Sequence, residues 1–275
     1  MQTRREFRTS TRAALGLAGG FLLLASGASV AQAQPSARAQ AAAAMPDWSG
    51  VWAPNQPDVF DAKAGTKATR DHPPYTAEYE AKYKASMAKA KTDKGYDPLS
   101  LCLPLGMPRM MTVPGHYEFV ATPDMAFVFS DTPAGPKSTG NQARRIYMDG
   151  RPQLGGDDLF PTYTGNEIGH WDGDTLVVHT VGLNDTNFVD RTGALLSGDA
   201  VITERMRLTG PNTFEDRFTV EDKKALTRPW VVTRTWRRVP GAAIVDDSCG
   251  GRRVDPEALT DNGARAKAAA AAKAK

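Results

Sequence analysis

Cysteine and histidine are scarce in this chain: Cys102 and Cys249 are the only cysteines among 275 residues, beside four histidines. Neither cysteine stands in a spacing that zinc or haem attachment uses, which sets those classes aside. No G-x-S-x-G, dinucleotide-binding or phosphate-loop motif occurs, so serine-hydrolase and dehydrogenase chemistry have no sequence support and no bound cofactor is implied. A basic stripe of the kind nucleic acid requires is also missing. Lysine and arginine outnumber aspartate and glutamate by 34 to 31, but the excess sits at the two ends. Residues 1–34 hold four arginines and one glutamate, and residues 261–275 hold four cations and one aspartate. The stretch 46–260 between them carries 25 basic and 29 acidic side chains.

The N-terminus has what the rest lacks. Arg4, Arg5, Arg8 and Arg12 precede an apolar run from Ala13 to Val30, and Ala31-Gln32-Ala33 follows as a small-x-small site. Residues 1–34 therefore read as a cleaved secretory signal, predicting a periplasmic or secreted protein with no integral membrane segment after processing. Thr3-Arg4-Arg5-Glu6-Phe7 resembles the twin-arginine export motif, and both that route and general secretion are open. Residues 35–45 read as a flexible linker, 46–260 as a single domain large enough for one core, and 261–275 as a low-complexity basic tail. Outside the cytoplasm Cys102 and Cys249 are expected to form a disulfide, contributing on the order of 4–5 kcal/mol by loop entropy; two unpaired thiols are the alternative.

Periodicity sets the fold class. "DWSGVWAP" reads as a short strand. Thr76 then caps a helix on which Tyr75, Tyr79, Tyr83 and Met87 recur every four residues. From Tyr117 onward eight segments have strand length and β-branched or aromatic content, joined by "PD", "DGD" and "GPN" turns. The expected architecture is all-β, an antiparallel up-and-down barrel of about nine strands with one N-terminal helix inserted after the first strand. An open sandwich is the alternative.

Gly50-Val51-Trp52 resembles the Gly-x-Trp that opens lipocalin- or calycin-type barrels. That resemblance implies that Trp52 packs on an arginine of the last strand, Arg237 or Arg238, although a helix after the first strand departs from the pattern. Three longer stretches, Cys102-Leu-Pro-Leu-Gly-Met-Pro-Arg-Met-Met111, Arg144-Arg-Ile-Tyr-Met-Asp-Gly-Arg151 and Gly169-His-Trp-Asp-Gly-Asp-Thr-Leu-Val-Val178, resemble a group of functionally unassigned exported bacterial β-rich proteins. The likeness spans most of 47–250 and implies export and a shared β fold, but no activity.

Three groupings are candidates for chemistry. A hairpin turning at Asp172-Gly173 sets His170 near Thr175 and His179 four residues further, roughly 13 Å away at about 3.4 Å per residue if both share a face, or on opposite faces if the turn carries a bulge; neither register suits one metal ion. His170 alone, at a barrel rim beside Asp172 and Asp174, is a candidate acid or base. Cys102, Met107, Met110, Met111 and His116 are soft donors that suit copper. The competing reading is a proline-stiffened loop whose methionines plug one end of the barrel, with Cys102 tied in a disulfide. We take the second and expect no metal.

Strand parity gives the third grouping. Glu204 shares a face with Ile202, Met206 and Leu208; Asp216 with Phe214, Phe218 and Val220; Arg234 with Trp230, Val232 and Trp236. A turn at Gly210-Pro211-Asn212 pairs Met206 with Asp216, and pairing Val220 with Trp230 sets Arg234 opposite Asp216. The expectation is an Asp216–Arg234 ion pair, with Glu204 nearby as a carboxyl of raised pKa and Arg144 as a possible fourth member. Phe214, Phe218, Trp230 and Trp236 would line the ligand. The functional expectation is cofactor-independent acid/base chemistry (elimination, isomerisation or hydration) on a hydrophobic or aromatic small molecule. A non-catalytic binding protein and a structural envelope protein are the alternatives, and a structural salt bridge is the bland account of the same residues.

Overall fold

The computed structural model describes residues 36–56, 72–93, 96–101, 103–131 and 142–244. The chain divides into two compact units, 1–36 and 37–275; apart from Ser36, everything below belongs to the second. The expected Cys102–Cys249 disulfide, the expected signal at residues 1–34 and the basic tail at 261–275 lie outside the described residues.

Nine strands close in chain order into a barrel. They are β1 (Val51–Pro54), β2 (Tyr117–Ala121), β3 (Met125–Ser130), β4 (Gln142–Tyr147), β5 (Asn166–Asp172), β6 (Thr175–Val181), β7 (Val201–Gly210), β8 (Thr213–Glu221) and β9 (Trp230–Arg238). Alternation carries through: in β8, residues 214, 216, 218 and 220 are buried and their neighbours are not. Within 35–45, read as linker, the alanines form a short helix α1 (Ala37–Ala43) with no buried residue. After β1 comes α2 (Ala77–Thr92), capped by Thr76, whose Oγ1 accepts from the Tyr79 N–H. Its tyrosine stripe faces inward, with Tyr83 buried and Tyr75, Tyr79 and Met87 packed on the core.

One junction breaks the up-and-down pattern. Every other neighbour pair is antiparallel, closing at β1–β9, but β5 runs parallel to β4 and meets it at a single position, Tyr147 with Ile168. The β4–β5 connection is too long for a hairpin, so no turn forces β5 to reverse direction. This seam has the fewest backbone pairings of the wall among the described residues.

The β7–β8–β9 registers are those expected, with Met206 opposite Asp216, Asp216 opposite Arg234 and Val220 opposite Trp230. The histidine hairpin is not. It turns on Gly173-Asp174, with Gly173 at φ +63°, and pairs Asp172 with Thr175. His170 therefore faces Val177 rather than Thr175, and His179 lies opposite Ile168.

Barrel closure places Arg238, of the two candidate arginines, over Trp52, 4.3 Å from guanidinium carbon to ring centre. Gly50, at φ +92°, lets the chain pass beneath; a Cβ there would stand 3.2 Å from Arg238 Nη1. Aromatic side chains fill the interior beside it. Phe119 and Phe214 stack at 4.1 Å, with Trp48, Trp52 and Trp236 edge-on or tilted around them. Fully burying a side chain of this kind stabilises by about 1.5–3 kcal/mol.

The 103–116 loop plugs the core as the packing reading expects: Met107, Met110 and Met111 are buried. The Tyr117 hydroxyl, 2.8 and 2.7 Å from the carbonyls of Met110 and Val113, ties the loop down. His116 meets Asp131 through Nδ1 at 3.2 Å. Among the described residues no helix is long and apolar enough to cross a membrane.

Candidate functional site

The alternation of β4, β7, β8 and β9 drives Arg144, Glu204, Asp216 and Arg234 into one core with Phe214, Phe218, Trp230 and Trp236. None of these eight is more than 4 % exposed. The shared interior read from parity is therefore present. Its pairing differs from the expected one.

Arg144 holds the centre. It donates from Nη1 and Nη2 to the two Glu204 oxygens at 2.8 and 2.7 Å, the bidentate fork a carboxylate takes. Its Nε donates across the β4–β5 seam to Glu167, at 2.9 and 3.2 Å from the two oxygens. Glu204 is thus a partner of Arg144 and not the spare carboxyl. The expected Asp216–Arg234 pair is also corrected: the two residues are cross-strand neighbours, but neither Asp216 oxygen accepts a hydrogen bond. Arg234 is instead close enough to Tyr117 for its charge to oppose the rise that burial imposes on that phenol.

The carboxyl left over is Asp216. Glu204 sits diagonally from it on β7, through the Met206–Asp216 pairing, and the two carboxyls face each other. Burial first, and the Glu204 charge second, push the Asp216 pKa well above the ordinary carboxylate range. With Asp216 ionised, two buried acceptors would have no donor. Protonation of Asp216 would remove that buried charge and turn one of its oxygens into a donor facing the Glu204 carboxyl. Glu167 is a second soft group: burial lifts it to about 7, against the pull of Arg144.

Glu167 is absent from the parity reading of the sequence. Its face on β5 is shared with Gly169, which has no side chain to mark the pattern. That glycine is itself the available signal, because a Cβ there would meet Ile146 at 2.8 Å and Leu176 at 3.2 Å. Ser130 Oγ, Thr180 Oγ1 and Trp236 Nε1 are further buried polar atoms with no hydrogen-bond partner.

His170 is not part of this cluster. It is exposed on the outer face of β5, beside neither Glu204 nor Asp216, and His179 is exposed on β6 with Nδ1 3.2 Å from Gln153 Oε1. Both rings face outward, nearer each other than expected because of the shifted register. Among the described residues no group of three or more histidine, cysteine, aspartate or glutamate side chains is placed to hold a metal ion. Comparison of the sequence with protein-family models, and with curated proteins, found no match.

Proposed function

We propose that the chain is an exported barrel that acts on a hydrophobic or aromatic small molecule by cofactor-independent acid/base chemistry. The observation that carries the reading is the pair of carboxyls inside an aromatic core. Asp216 has a proton to give, and Glu204, oriented by Arg144, is placed to take one. An acid and a base held side by side and shielded from water serve elimination, isomerisation or hydration, each of which moves a proton to or from carbon. Arg234, buried on β9 opposite Asp216, adds a second positive charge that would favour a developing oxyanion. Export rests on the leader at residues 1–34.

A second reading has its own support. Every charged member of the cluster is sealed from solvent, as in a binding protein whose polar floor only fixes the ligand's polar end. One experiment separates them. The mature protein is purified, any molecule carried with it is identified by mass spectrometry, and that molecule is returned to wild type and to Asp216→Asn. The acid/base reading expects conversion by wild type and a loss of about 100-fold or more in the variant, the usual share of a general acid. Recovery of the molecule unaltered from both proteins, with equal affinity, establishes the binder.

A further inference from the structure

The β4–β5 seam opens on the outer face of the barrel. On β4, Met148 N–H donates to Asp124 C=O, so by strand alternation residues 142, 144 and 146 turn their main chain toward β3. Ala143 and Arg145 turn theirs the other way, where β5 pairs only at Tyr147. The chain entering β5 is held off from this edge by other partners. Thr162 is bonded to Gly182 and Asn184, and the Tyr163 carbonyl accepts from Met107 N–H at 2.9 Å and from Asn187 Nδ2 at 2.7 Å. The gap is a cleft of ≈ 510 Å³, inside the 300–1,000 Å³ range of small-molecule sites.

We propose that this cleft is a binding site for a small aromatic carboxylate, distinct from the buried cluster. Phe127 and Phe129, outward-facing on β3, stand with rings parallel to within 10° at 5.8 Å and form an apolar wall with Tyr147. Arg145 lies beside that wall, its guanidinium carbon 5.5 Å from the centre of the Phe127 ring. Among the described residues it has no ion-pair partner. The Arg144 side chain is wholly buried, so Arg144 meets the cleft through its main chain alone. An aromatic ring fits against the phenylalanines, and a carboxylate fits between the Arg145 fork and the outward N–H groups of Ala143 and Arg145. An extended peptide would seek the same edge by strand addition. Only two residues of main chain are open before the Tyr147–Ile168 pair closes the cleft, too little for a strand.

The test uses the purified full chain, with 2-naphthoate and the neutral 2-naphthalenemethanol as probes in calorimetric titrations. The proposal expects saturable one-site binding of 2-naphthoate. Arg145→Gln should weaken it about tenfold or more while leaving the neutral probe within about twofold. Ala143→Trp, an exposed residue whose enlargement fills the cleft, should abolish both, and the Ala143 and Arg145 amide resonances should shift on titration of wild type. Naphthoate affinity unchanged in both variants puts the ligand elsewhere and overturns the proposal, as does a lack of saturation. Displacement of the probe by an extended acidic peptide of eight residues or so would assign the edge to strand addition and also overturn it. The outcome is independent of the interior cluster, since neither variant touches Glu204 or Asp216.

Discussion

Asp216 and Glu204 are neighbours of the same chemistry, and donors decide which holds the proton. Glu204 receives two N–H groups from Arg144; Asp216 receives none. Asn at 216 copies a neutral carboxyl in shape and still donates to Glu204, so Asp216→Asn should fall within about 1 kcal/mol of wild type in urea unfolding at neutral pH. Glu204→Gln removes one side of a buried pair and should cost ~3–5 kcal/mol in the same measurement. Equal costs for the two would contradict the assignment. Glu167 supplies a pH test. Its folded pKa, about 7, lies above its ordinary value of 4.5, so between those values the folded chain holds a proton that the unfolded chain has released. The stability of wild type relative to Glu167→Gln should therefore fall as pH rises through that window and level off above it. A relative stability that rises with pH would show that Arg144 outweighs burial. Which residues point inward was legible from alternation in β7, β8 and β9. Which of them pair was not, because two arginines and three carboxyls on five strands admit several pairings, and side-chain reach settles the choice.

At the scale of elements, registers were readable where apolar faces had to match and were lost where only a turn position set them. The β7–β8 register follows from counting across a tight turn, and the β8–β9 register from pairing the apolar faces at Val220 and Trp230 across the longer loop; together they place Asp216 opposite Arg234 as expected. The histidine hairpin shows how little separates right from wrong: moving the turn from Asp172-Gly173 to Gly173-Asp174 changes every partner on two strands. Between β4 and β5 no turn rule applies, so nothing in the residues there marks β5 as parallel. That junction should be visible in hydrogen exchange. The amides of Ala143 and Arg145, directed into the seam, should exchange faster than those of Arg144 and Ile146, directed to β3. Equal protection along β4 would mean that the seam is paired in solution.

For the whole molecule, closing nine strands hides almost every sheet edge and creates an interior that must be filled. Aromatic rings and three methionines fill most of it, and charge occupies the rest at the cost of desolvation. The barrel tolerates that charge because Arg144 ties β4 to β5 and β7 across a junction the backbone leaves nearly unpaired, and because burial beside Glu204 favours the neutral form of Asp216. The retained proton on Asp216 is thus the claim on which both the structural and the catalytic reading depend. It is tested most directly by carbon-13 spectroscopy of protein labelled at the aspartate carboxyl carbons, with the Asp216 signal assigned by its loss in Asp216→Asn. The account predicts that this one carboxyl keeps the chemical shift of the protonated acid from about pH 5 to about pH 8, where ordinary aspartates are ionised. An Asp216 signal that titrates with the others, below about pH 5, would contradict it.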